Sequence, residues 1–463
     1  MLTYCVRNVL STRASVLKTS QRSTVSLILF HSRGRCSTTW TKDLDQLRPL
    51  LQLCMDRYYI SPGQTNAELF GRGMSCSYGP LGMELRRNLL EQWWHSVTSG
   101  SKAPVFGINT LSSSKDGETD GGGQVRMVES EKLKQLLQQD VSKELILQDV
   151  QALLQRSPSV RTHLLQGALE QFLPSLELVN RKLPFGLAET GLCFQPSDGS
   201  GCPAETTQMS LVWFCSPRTS SQWLDHWTRQ RLKWWRKFAL SPSDFSSSDV
   251  PAEELVEAAS RGVRIVYNFP WGQEPLETLW SRGDAELMQT HKGARSKLQC
   301  RNGRKTVPHV ISVTGNVDRG LMAFLSNSLQ LLKREDSKKR LQQRKVVMLY
   351  FFLFIIFSLS FCDTFSRGAT VELRRVCEGL LQEFMEAKIS VWPGYLDTMP
   401  TSMEQLNAKY DEMGVLFTVV ISENTLESGL LQLRNRDTTI RETMHISEIK
   451  NFISRYISAA DKI

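Results

Sequence analysis

Between Leu211 and Phe238 the chain passes from an unbroken apolar run to a two-sided pattern. Leu211 to Cys215 shows no polar alternation, which predicts a strand covered on both faces and ended by the turn residues Ser216-Pro217. Ser220 or Ser221 can cap a helix behind it. At about 100° per residue, Trp223, Trp227, Trp234 and Phe238 fall in one stripe, with Arg229, Lys233 and Arg236 roughly opposite. A strand buried on both faces followed by a tryptophan-striped helix predicts the centre of a large α/β core. The tryptophans read as packing and the basic side as a solvated face.

The same reading orders the rest of the chain. Leu44 to Tyr59 has helical spacing interrupted by Pro49, and Met83 to Trp94 is a charged amphipathic helix. Ser112 to Gly123 is a flexible loop by composition. Leu133, Leu136 and Leu137 mark one helix, and Leu145, Leu147, Val150, Leu153 and Leu154 a second, before Ser157-Pro158 breaks the pattern. An antiparallel helical hairpin is expected within Val125–Phe172, packed on its parent domain or on a second copy. Ser241–Arg261 reads as a polar connection, Val263–Pro270 as a strand and Trp271–Leu287 as loop and helix. Val307–Thr314 is a strand that leads to a helix from Leu321, and Lys333–Lys345 is a basic linker. Beyond Val371 a regular alternation predicts a sheet covered by helices. Its parts are a helix to Ala387, a strand Ile389–Leu396, a helix Met403–Met413, a buried strand Val415–Ile421, an exposed strand Leu430–Arg434 and a final helix His445–Ile457. Val346–Cys362 carries no charge over seventeen residues. Three readings of it stay open: a membrane span, an overlong buried strand, or a product of mistaken gene prediction.

The 463 residues are 41% hydrophobic and 22% charged, ample for two or three folded domains. Of the net charge of +9, seven basic groups lie in residues 1–42, which hold no acid. The remaining basicity is slight and does not by itself imply nucleic acid. An acid-free, Arg-, Ser- and Thr-rich start is the composition of a mitochondrial presequence, with cleavage expected before Asp43. The ten cysteines form no CxxC pair and the seven histidines no HExxH spacing, so neither a disulfide framework nor a metal enzyme is expected.

Three stretches carry candidate chemistry. Tyr78-Gly79-Pro80-Leu81-Gly82 with the helix behind it resembles the motif 1 region of glycyl-type class II aminoacyl-tRNA synthetases. Leu183 to Ser197 resembles motif 2, and Val307 to Gly320 resembles motif 3. Motif 2 departs from the family, because Phe-Arg-x-Glu has become Phe194-Gln195-Pro196-Ser197. The resemblance implies that Gln195 stands where an arginine would hold the ATP α-phosphate, and a neutral amide cannot supply that charge-assisted contact. Ser197 stands in place of the acid on the adenine side. Arg319 survives from motif 3 and, without its motif 2 counterpart, is expected to be structural. Separately, Lys292, Arg295, Lys297, Arg301, Arg304 and Lys305 fill residues 291–305 with no acid. That loop reads either as solvated surface or as a phosphate contact.

The runs SLVWFCSPRTSSQWLDHWTRQRLKWWRKFALSPSDFSSSD, ISVWPGYLDTM and LRNRDTTIRETMHIS narrow the match. The chain resembles the family of accessory subunits of mitochondrial DNA polymerase gamma over roughly Leu44–Leu332 and Val371–Ile463. The resemblance fails across Val346–Cys362, where the family has the first strand of its C-terminal domain. It implies an α/β (α+β) chain in four parts. These are a presequence (1–42), a class II synthetase-like antiparallel-sheet core (43–332) with a helical dimerisation insert (125–172), a linker with the anomalous apolar segment (333–370), and an anticodon-binding-like α/β domain (371–463). The implied function is a non-catalytic processivity subunit without metal or cofactor, acting in the matrix nucleoid. Implied partners are the catalytic polymerase subunit, duplex and primer-template DNA, and a second copy of the chain. Leu133, Leu136, Leu137, Val150, Leu153 and Leu154 would form the dimer contact, and Trp392, Leu430, Leu433, Arg434 and Arg436 the polymerase contact. Two alternatives remain: an active mitochondrial glycyl-tRNA synthetase, or a synthetase-derived RNA-binding module.

Overall fold

The computed structural model describes residues 39–99, 103–114, 125–138, 143–195, 204–256, 258–302, 304–335, 341–347, 355–359, 367–394 and 402–460. In the core the strands are β1 (Val105–Gly107), β2 (Ser113–Ser114), β3 (Ser159–Val160), β4 (Phe185–Gln195), β5 (Ala204–Cys215), β6 (Phe245–Asp249), β7 (Arg261–Phe269), β8 (Gly272–Gly283), β9 (Cys300–Asn302), β10 (Arg304–Thr306) and β11 (His309–Asn316). Seven of them form one sheet in the order β1-β4-β5-β11-β8-β7-β6. Only the β1–β4 pair is parallel. As the apolar run predicts, β5 is buried from Thr206 to Cys215. Its alternate residues serve two cores: Leu211, Trp213 and Cys215 face one cluster, Val212 and Phe214 the other. The helices Leu165–Glu170 and Phe172–Leu178 cover the second face.

The helix Ser220–Lys237 lies on the first face with Trp227 and Trp234 buried and the Trp223 ring 4.8 Å from that of Trp213. Trp235 lies outside the expected stripe yet is fully buried, stacked on Phe324 at 5.3 Å. The helix therefore packs against two neighbours, the sheet and the helix Val317–Ser328. Two expected connections are strands instead. Gly272–Gly283 is β8, whose polar start (Gln273, Glu274, Pro275) hid its later alternation, and the Ser241–Arg261 connection contains the edge strand β6. Pro49 sits inside a continuous helix, Thr39–Asp56. It forfeits one backbone bond, while buried Leu47, Leu50, Leu51, Leu53 and Cys54 hold the helix to the core.

The expected hairpin is present as Ser130–Gln138 and Lys143–Arg156, and no side chain of its first helix is buried. The β2–β3 pair closes its base. Further on come β12 (Leu329–Glu335) and β13 (Leu341–Val347), then β14 (Ile355–Leu359), β15 (Val391–Trp392), β16 (Phe417–Ile421), β17 (Leu430–Asn435) and β18 (Arg441–His445). The expected basic linker is thus an antiparallel ribbon, β12 against β13. The C-terminal sheet runs β15-β14-β16-β17-β18. Part of the charge-free run supplies β14, parallel to both its neighbours. A strand with a neighbour on each side suits an apolar, non-alternating sequence. No helix among the described residues is long and apolar enough to cross a membrane. β17 is paired on both sides, and β18, which the sequence did not reveal, is the edge. Tyr410, Met413 and Val415 belong to the core's own apolar cluster. Arg57 pairs with Glu412 at 2.6 Å, and Tyr59 donates to the Met413 carbonyl at 3.1 Å.

Candidate functional site

The synthetase-like site lies where β4 and β11 end and β5 begins. Gln195, the exposed last residue of β4, donates its amide to the Thr162 carbonyl at 3.2 Å, and Gln208 of β5 donates to the same oxygen. The segment bearing Thr162 is fixed by its neighbour Arg161. That guanidinium donates to the Leu192 carbonyl at 2.8 Å, to the Thr110 carbonyl at 2.9 Å and to Glu189 Oε1 at 3.0 Å. Glu189 is buried and also accepts the Thr110 backbone N–H at 2.8 Å. A Cβ on Gly191 would come within 2.0 Å of Arg161 Nη2, so glycine makes room for the arginine. Ser197 lies outside the described residues.

On the other side, Asn316 at the end of β11 caps the helix Val317–Ser328, its Oδ1 accepting the Arg319 N–H at 2.9 Å. Asn316 therefore has a helix-capping role of its own. The Arg319 side chain turns back into the protein. Its Nε lies 3.1 Å from Glu274 Oε2, near enough for an ion pair but poorly aligned for a hydrogen bond. Gly73, with φ +65°, fits against that guanidinium, where a Cβ would come within 2.8 Å of Nε. Next to it the fully buried Asp318 accepts from Tyr78 Oη, from Ser75 Oγ at 2.8 Å and from the Thr207 N–H at 2.9 Å. Burial pushes the Tyr78 phenol well above its ordinary value, and the Asp318 charge adds to the shift. Each of the two arginines faces a carboxylate here, Arg161 against Glu189 and Arg319 against Glu274, and Gln195 is neutral. A triphosphate needs unpaired, preorganised cations, and both arginines are already committed to carboxylates.

The basic stretch is more ordered than a loop. Arg295 and Lys297 sit on the single turn Arg295–Leu298, and β9 pairs with β10 so that Arg301 stands opposite Lys305 and Arg304 opposite Asn302. Buried Leu298 and Cys300 anchor it, and Arg181 donates to the carbonyls of Gln299 and Lys297 at 3.1 and 3.2 Å. Lys292, Arg295, Lys297 and Arg301 are exposed, and none of them is in an ion pair with a described residue. Exposed Lys182 joins this group through its bridge to Arg301, a neighbour that no sequence spacing signals.

In the hairpin, Leu133, Leu136, Leu137, Val150 and Leu153 are half-buried and Leu154 is exposed. In the C-terminal part, Leu430 is exposed and Trp392 is half-buried with its ring 5.9 Å from that of Tyr58. Leu433, Arg434 and Arg436 are buried. Arg434 makes a two-pronged pair with Asp411 at 2.8 and 2.9 Å, and Arg436 donates to the Gly414 carbonyl at 2.9 Å. The alternation along β17 thus leaves Leu430 and Gln432 outward and turns Leu433 inward.

Residues 363–456 match the family described as "Anticodon binding domain". A solved prolyl-tRNA synthetase from Giardia lamblia, in complex with prolyl-adenylate, covers 91% of this chain and 81% of its own, with a TM-score of 0.59. At 11% identity that likeness shows the fold: a class II synthetase core followed by an anticodon-binding domain. A glycine–tRNA ligase of Thermus thermophilus is 25% identical over 64% of this chain and 62% of its own. Much nearer are DNA polymerase subunit gamma-2 of Bos taurus, 46% identical over 90% of this chain and 86% of its own, and that of Mus musculus, 46% over 89% and 91%. The Xenopus laevis protein, DNA polymerase subunit gamma-2, mitochondrial, is 43% identical over 89% and 88%. A synthetase scaffold whose motif 3 arginine, Arg319, faces Glu274, and whose sequence follows these subunits along most of its length, belongs to the DNA polymerase subunit gamma-2 family.

Proposed function

We propose that this protein is a non-catalytic processivity subunit of the mitochondrial DNA polymerase, and that it does not activate amino acids. The observation that carries the second half is the pairing of Arg161 with Glu189 and of Arg319 with Glu274 around a neutral Gln195. The family relationship supports the first half, with the catalytic polymerase subunit as partner in the matrix nucleoid after removal of a presequence ending before Asp43. The C-terminal contact centres on the outward residues Leu430 and Trp392. Leu433, Arg434 and Arg436 shape that surface from beneath.

The hairpin leucines support a homodimer. Two helices that leave Leu154 exposed and bury no residue of Ser130–Gln138 present apolar surface that a second copy can cover. Duplex DNA is contacted by Lys292, Arg295, Lys297, Arg301, Arg304 and Lys305, whose phosphate contacts make binding fall steeply with salt. The test is primer extension by the catalytic subunit with and without this chain, beside ATP–pyrophosphate exchange with glycine. Longer products and no exchange are expected. Unchanged product length refutes the processivity role, and glycine-dependent exchange restores the synthetase reading. Reversing Arg301, Arg304 and Lys305 should weaken duplex binding and flatten its salt dependence, and unchanged binding removes this surface from the proposal.

A further inference from the structure

The solvent side of the tryptophan helix carries a charge pattern that the functions above leave unused. Arg229, Lys233 and Lys237 recur every fourth residue and are all exposed. At 1.5 Å per residue they stand about 6 Å apart along a line of about 12 Å. The acid nearest in sequence, Asp225, is held by Arg261 at 2.8 Å. Arg236, beside the line, is tied to the Phe245 carbonyl at 2.7 Å. Beneath, Trp227, Trp234 and Trp235 fix the helix to the core, so the three cations stand on a rigid backing. From this geometry we infer that Arg229, Lys233 and Lys237 form a second contact for the phosphate backbone of duplex DNA, separate from the basic β9–β10 surface.

Linear spacing is what favours a nucleic-acid backbone. One strand of a duplex carries a charge about every 3.4 Å of axis, so a stripe of about 12 Å runs along three to four phosphates. A row of point charges reaching phosphates suits contact that ignores base sequence. The separation also follows from the fold. The tryptophan helix packs with Trp213, Leu279 and Ile311, whereas Leu298 and Cys300 at the base of the β9–β10 hairpin pack with Val212 and Phe214, on the other face of the sheet. Two basic surfaces on opposite faces let one subunit hold two stretches of duplex, or one duplex by either side.

The inference rests on the DNA-binding reading above, and its test separates the two. In the full chain with Arg301, Arg304 and Lys305 reversed to Glu, binding to a labelled 30-base-pair duplex (length chosen for the assay, about three helical turns) is measured across salt. Residual, salt-sensitive binding is expected, and adding Arg229→Glu and Lys233→Glu should lower it at least tenfold. Arg374→Glu with Arg375→Glu, an equal charge change on an exposed C-terminal helix, should not. Residual binding that survives the stripe reversal overturns the inference while leaving the β9–β10 surface intact. Loss of catalytic-subunit capture with unchanged duplex binding overturns it in favour of an acidic protein partner. No duplex binding by the unaltered chain overturns both readings, and primer extension then shows whether the polymerase role survives without them.

Discussion

Glu277 and Arg231 form a buried pair that joins three core elements, and removing one charge should unfold the core well below its normal temperature. Both side chains are almost completely excluded from solvent, with Arg231 Nη2 2.8 Å from Glu277 Oε1. Glu277 also accepts from Trp93 Nε1 at 3.1 Å, and Arg231 Nη1 donates to Ser96 Oγ at 2.7 Å. The pair thus ties β8 to the tryptophan helix and to the helix Pro80–Thr98. Arg231 Cζ lies 4.4 Å from the Trp234 ring centre, so the cation has an aromatic wall but a single carboxylate. In Glu277→Gln the Trp93 bond can persist, while the guanidinium stays buried and uncompensated, at a cost of about 3–5 kcal/mol. At about 2–4 °C per kcal/mol for a domain of this size, the melting temperature should fall by roughly 10 °C. Thermal unfolding followed by near-ultraviolet circular dichroism reads this directly through the tryptophans. The double variant Arg231→Met with Glu277→Leu removes both charges and should melt closer to the parent than the single variant does. A single variant within about 2 °C of the parent, or a double variant below the single, refutes the argument.

The thiols of Cys193, Cys215, Cys300 and Cys377 are each pushed up to about 12, in every case chiefly by burial. In the unfolded chain they ionise near 8.5, so between about 9 and 12 the unfolded state has shed protons that the folded state keeps. Their contribution is complete below the unfolded value and is lost as pH rises, by up to about 1.4 kcal/mol per pH unit for each thiol. The melting temperature should therefore be level from pH 7 to 8 and fall above 9, and a profile flat to pH 11 contradicts the shifts. Gly191→Ala would set a methyl group within 2.0 Å of Arg161 Nη2 and force that side chain off Glu189. A loss of about 1–3 kcal/mol in urea unfolding is expected, and an unchanged midpoint refutes the strap geometry.

What the sequence made legible follows its physics. Leu211–Cys215 and the Trp223–Trp227–Trp234 stripe were readable because burial on one or both faces leaves an unmistakable period. Trp235 was not, because it is buried by a second neighbour off the helix's main apolar direction, and Arg231 was not, because the Glu277 that lets a charge be buried beside the stripe meets it only through the fold. β8 escaped because its first residues are polar, and β18 because its residues are mostly exposed. The departure at motif 2 showed directly in the sequence, at Gln195 and Ser197. The pairing of Arg161 and Arg319 did not, since Glu189 and Glu274 meet them only through the fold. Likewise nothing in the string Leu430–Arg436 says that Arg434 faces inward to Asp411 while Leu430 faces out.

The two paired arginines help this site keep a synthetase shape. A partly buried cation is costly without a partner. Deleting Arg161 would orphan buried Glu189 and free the segment carrying Thr162, whose carbonyl receives Gln195 and Gln208. Deleting Arg319 would empty the space that Gly73 leaves for it and leave Glu274 without its cation. Pairing each arginine within the chain holds the strand ends and the helix cap at Asn316 in place. Stability at this site therefore draws on the same two ion pairs. Replacing either carboxylate should weaken the fold, while Gln195 would still supply no charge.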